Sequence, residues 1–160
     1  MGKRLLIWFK NVTRIDKWQS NLNNVFDIYE NSHFQWGQTD CFCFASDCIK
    51  AMTGYGPMDG FKGTYNTEQE ANKLLQQGGY STIDKKFYRY NGTIGFWSSF
   101  LGEPKNLGGA MIGNMIITKV PKHDLVTGIV NDTGRFIYLK SLGKDLIEVP
   151  IQRVKYIWGV

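Results

Sequence analysis

Cys41 follows Asp40 directly and opens an apolar-periodic run, within the stretch Phe34-Gln-Trp-Gly-Gln-Thr-Asp-Cys-Phe-Cys-Phe-Ala-Ser-Asp-Cys-Ile-Lys-Ala-Met-Thr-Gly54. A cysteine at the start of a helix has an advantage as a nucleophile. Unpaired backbone N–H groups and the positive end of the helix dipole favour thiolate over thiol. To work in acyl chemistry it also needs a base within hydrogen-bond reach and donors for the oxyanion. Two histidines are present, His33 and His123. His123 is the better candidate base and is otherwise a loop residue. His33 reads as a capping or surface residue, on a segment that leads away before turning into the cysteine helix. Asp40 reads most simply as the helix cap, and a carboxylate beside a thiol raises its pKa rather than lowering it. Asp47 falls on the interior of the same helix, as a hydrogen-bonding anchor for the loop that follows. The spacing Cys41-x-Cys43-x₄-Cys48 matches no common zinc pattern, and three ligands on one helix surround a tetrahedral ion poorly. No metal or other cofactor is expected.

The elements that must position these residues follow from periodicity. Ile15, Trp18, Leu22, Val25, Phe26 and Tyr29 predict an amphipathic helix over 14–30, ended by Asn31 and Ser32. In the cysteine helix Phe44, Cys48, Ile49 and Met52 form the buried stripe, and Thr53-Gly54 closes it. Tyr55 to Tyr65 is a glycine-rich loop. Thr67-Glu-Gln-Glu70 is a capping box that opens a third helix with Ala71, Leu74 and Leu75 inward, stopped by Gly78-Gly79. Phe87, Tyr88 and Tyr90 alternate as in a strand, and Gly92 to Gly95 reads as a turn. Phe96-Trp97-Ser-Ser-Phe100-Leu101 is either core or an exposed apolar patch that docks on another protein. After Gly113 come short β-rich runs: Met115–Val120, Leu125–Val130, Arg135–Lys140, Leu146–Val149 and Val154–Trp158. Helices first and a meander of strands afterwards predicts an α+β fold, helices packed on a C-terminal antiparallel sheet.

Composition sets the outer bounds. The 160 residues, 42% of them apolar, fit a single domain spanning 1–160 with one core and no disorder signature. No apolar run reaches the length of a membrane span. Leu5-Leu-Ile-Trp-Phe9 is too short for a signal peptide, and residues 1–13 read as a strand or a docking arm. The formal charge of +5 comes from scattered lysines and arginines without a recognition motif, which points to a solvated surface rather than to nucleic acid. Three cysteines within eight residues make no disulfide framework. On one helix Cys41 and Cys48 stand about 10 Å apart, too far to bond. Reduced thiols fit synthesis in a cytoplasm.

Asp-Cys at a helix start after Trp-Gly, with a late antiparallel sheet, resembles the NlpC-type cell-wall cysteine peptidases, small relatives of papain. Trp36-Gly37 and Asp40-Cys41 match the first block of that group. Gly113-Asn-Met-Ile-Ile117 matches the second, with Asn114 where aspartate is usual, and Val126-Thr-Gly-Ile-Val130 the third. A closer resemblance is to a phage and prophage family of unassigned activity in the same papain-like group. Phe34, Trp36, Gly37, Asp40, Cys41, Phe44, Asp47, Thr53, Gly54, Gly63, Tyr65, Gly78, Gly79, Gly128, Ile129 and Trp158 fall in its order. The resemblance implies a papain-like fold and a virion protein of the tail tip or baseplate, partnered by other tail proteins. Where active, such a domain cleaves peptide or amide bonds in host peptidoglycan, with Cys41 attacking and a histidine as base. In the peptidases that histidine stands two residues before the Gly-Ile pair, and here the position is Val126. The nearest histidine, His123, is three residues earlier, on the opposite face of a regular strand unless it still lies in the turn after Pro121. The expected function is therefore a tail component with degenerate or atypical catalysis. An active peptidoglycan peptidase or amidase is the first alternative, and a basic nucleic-acid-binding accessory protein the second.

Overall fold

The computed structural model describes residues 13–75, 79–80, 87–88, 92–102, 104–105, 111–120, 123–140, 142 and 146–160. The expectations for residues 1–12, Gly78 and Tyr90 lie outside these. The helices are α1 (Trp18–Glu30), α2 (Cys41–Thr53), α3 (Glu68–Leu75) and α4 (Gly92–Leu101). A two-stranded ribbon, β1 (Gly79–Tyr80) with β2 (Phe87–Tyr88), precedes the main sheet. That sheet contains β3 (Met115–Val120), β4 (His123–Val130), β5 (Phe136–Lys140), β6 (Leu146–Pro150) and β7 (Val154–Trp158). Its strands pair antiparallel in the order β6-β5-β4-β3-β7. The α+β class follows: α2 packs on β4 and β5, and α1 packs on α2 and β6.

The sheet is forced to coil. Only the 3₁₀ turn Ile151–Arg153 links β6 to β7, the two opposite edges. Three linking residues span at most about 14 Å, whereas a flat sheet of five strands would hold its edges about 19 Å apart. Coiling turns the face away from the helices into an interior of its own, filled by Ile116, Val130, Ile137, Leu139, Val149, Val154 and Ile157. The opposite face carries Met115, Ile117, Ile129 and Trp158 into the larger core shared with α1, α2 and α4. Alternation along each strand thus feeds two cores from one sheet, where the composition led to an expectation of one.

α2 is specified at both ends. Asp40 caps its start, and Gly54 ends it in the left-handed conformation at φ 85°, donating its N–H to the Lys50 carbonyl. The predicted stripe of Phe44, Cys48, Ile49 and Met52 is fully buried. The capping box of α3 forms with a shift: Glu70 N–H donates to Thr67 Oγ1, while the Glu70 carboxylate accepts from the Asn66 N–H. That helix ends at Leu75, and Gly79 already belongs to β1.

Three expectations are corrected. α1 begins at Trp18 rather than at residue 14, and Ile15 is exposed instead of joining the apolar face. The Ile15 N–H is taken by the Met52 carbonyl, while Arg14 donates to the carbonyls of Ile112 and Val160 and lies over the Trp18 ring. These anchors hold the chain out of the helix as far as the turn at Asp16 and Lys17, the latter at φ 60°. Gly92 to Gly95 is the first turn of α4, not an isolated turn. Phe96, Trp97 and Phe100 are buried, which removes the exposed-patch reading. Burying three large rings outweighs the weak helix propensity of two glycines. Finally, His123 is the first residue of β4 rather than part of the turn, paired with Val120 across a register irregularity.

Candidate functional site at the start of helix α2

Asp40 is completely buried, and its carboxylate accepts three hydrogen bonds. Oδ1 takes the Cys43 N–H at 2.9 Å, and Oδ2 takes the Gly37 N–H at 2.8 Å and the Tyr65 hydroxyl at 2.6 Å. A buried carboxylate is tolerable only when its lone pairs are used in this way. The arrangement depends on two glycines. Gly37 sits at φ 77°, and a Cβ there would stand 2.1 Å from the Tyr65 carbonyl oxygen. The N–H of Gly63, also at positive φ, donates to the Gly37 carbonyl. Burial, then the adjacent Asp40 charge, push the Tyr65 phenol far above its usual range, so it remains a donor. Asp40 joins the turn before α2, the first turn of α2 and the loop after it.

Cys41 is partly covered, at the start of α2. Its thiol is pushed up to about 12, first by burial and second by the Asp40 charge. Backbone N–H groups of Thr127, Cys41 and Phe42 face the sulfur and pull the other way without cancelling this. The helix-start advantage is present but outweighed. Cys43 and Cys48 are fully buried, both raised chiefly by burial and next by a carboxylate, Asp40 and Asp47 respectively. Cys43 sulfur lies 3.7 Å from the Tyr65 hydroxyl. All three cysteines are free, and no group of metal-ligating side chains occurs among the described residues.

The β4 register determines what meets the thiol. Val126, opposite Thr118, packs with the cluster on the face away from the helices. Its neighbour Thr127, opposite Ile117, is fully buried and turned to the helix side, where its hydroxyl accepts from Trp97 Nε1 at 3.3 Å. β5 pairs with β4 at Ile129 and Val130, so the Thr127 N–H lies beyond that ladder, against the thiol. The base position carried over from the peptidases at Val126 thus falls on the far face, and Thr127 stands beside Cys41. His123 enters β4 four residues before Thr127; its side chain lies outside the described residues. His33 is exposed, and its carbonyl accepts from Thr39 Oγ1.

The remaining motif residues brace α2. Asp47 accepts from the Tyr29 hydroxyl at 2.6 Å and pairs with Lys62, which anchors the following loop as its place in the helix suggested. Ser46 Oγ accepts the Met58 N–H at 2.8 Å, and Thr53 Oγ1 donates to the Ile49 carbonyl at 2.7 Å. Asn114 caps its own turn, its side-chain oxygen taking the Met111 N–H, a bond that aspartate would make equally well. Sequence reasoning missed the partners: Tyr65 for Asp40, Lys62 and Tyr29 for Asp47, and Thr127 for Cys41. The Gly63-x-Tyr65 pattern was visible, but nothing local says where its hydroxyl goes.

Among curated proteins the chain has no match. A family described as "Domain of unknown function (DUF6950)" matches it over residues 13–160. That span takes in the Asp40 network, Cys41 and the whole coiled sheet, and the chain belongs to this DUF6950 family.

Proposed function

We propose that this domain is a non-catalytic component of a phage tail, built on a papain-like, NlpC-type scaffold whose cysteine has lost its chemistry. The observation that carries the non-catalytic half is the setting of Cys41. A thiol raised to about 12 is almost wholly protonated at neutral pH, and its β4 neighbour is a threonine. The Asp40 carboxylate is taken up by three structural donors, the N–H groups of Gly37 and Cys43 and the Tyr65 hydroxyl. The tail assignment rests on the resemblance of the Trp36-Gly37, Asp40-Cys41 and Gly63-x-Tyr65 blocks to the phage family. Its partners on this reading are other virion proteins.

The competing reading, a peptidoglycan peptidase or amidase, draws on the backbone N–H groups of Cys41, Phe42 and Thr127 around the thiol. It requires a base that reaches the thiol. The nucleic-acid reading rests on charge without a recognition motif, and three of the nineteen lysines and arginines, Arg14, Lys62 and Lys140, are committed to backbone carbonyls or to Asp47. The test is incubation of purified wild type and Cys41→Ser with cell-wall sacculi, alongside a known hydrolase as control. Identical, null digests are expected. Fragments released by wild type and abolished in Cys41→Ser would sink the proposal.

A further inference from the structure

We draw no further inference here: the strongest candidate, the Cys41 thiol at the start of α2 facing the Thr127 N–H beyond the β4–β5 ladder, belongs to the site already described, and nothing else among the described residues points to a ligand there.

Discussion

On its loop side, α2 is tied to residues 56–65 by one polar bond after another, whereas its first residue meets β4 through a neutral thiol. Asp40 holds Tyr65, Ser46 holds the Met58 N–H, Asp47 pairs with Lys62, and Lys50 pairs with Asp59. Cys41, one residue from Asp40, is met among the described residues by backbone N–H groups rather than by a side-chain partner of that kind. Asp40 and Cys41 form a single motif in the sequence but serve two purposes in space. The carboxylate is consumed by architecture, and its charge is one of the two forces that keep the neighbouring thiol protonated. A helix N-terminus alone does not make a nucleophile when burial and an adjacent anion oppose it.

If the loop side is the structural one, the largest losses should come from it. Asp40→Ala removes the acceptor for two backbone N–H groups and a buried phenol. Each orphaned buried donor costs about 1–3 kcal/mol, so a loss of about 3–5 kcal/mol is expected in urea unfolding. A cost under about 1 kcal/mol would remove Asp40 from the centre of the fold. Next comes Gly37→Ala, which meets both a left-handed backbone and the Tyr65 carbonyl at 2.1 Å. An expected loss of about 2–4 kcal/mol should show as a lower Tm. An unchanged Tm would mean the turn has another conformation within easy reach. Smaller again is Lys62→Met. Its pair with Asp47 is about a quarter exposed, and Tyr29 still satisfies the carboxylate, so about 1 kcal/mol is expected. A loss as large as that of Asp40→Ala would erase the ranking within the loop side.

Much of the fold was readable because its signals are local. Asp40 as a cap, Gly54 as a stop, the Phe44–Cys48–Ile49–Met52 stripe and the limits of β7 depend on residues within a turn or a strand of one another. The failures were non-local. The start of α1 moved because Arg14 and Ile15 bind carbonyls from Ile112, Val160 and Met52. α4 formed over two glycines because its rings had a core to enter. The candidate site was half legible in the same sense. Sequence locates Asp40 and Cys41 at a helix start. Which β4 residue faces them depends on pairing with β3, where a shift of one residue exchanges Val126 for Thr127.

The comparison is tested most directly by the pH dependence of Cys41 itself. Its folded-state pKa lies above the unfolded value, so above about pH 9 the unfolded chain releases a proton that the folded chain keeps. The stability this contributes is full below the unfolded pKa and is lost as pH rises toward 12. Cys43, Tyr29 and Tyr65, also raised, act in the same direction. The decisive measurement is the alkylation rate of Cys41 in the native chain from pH 5 to 11, with the modified cysteine identified by peptide mapping. A rate that stays low through neutral pH and is still climbing above about pH 10 is predicted. A plateau reached below about pH 7 would reveal a thiolate and contradict the account.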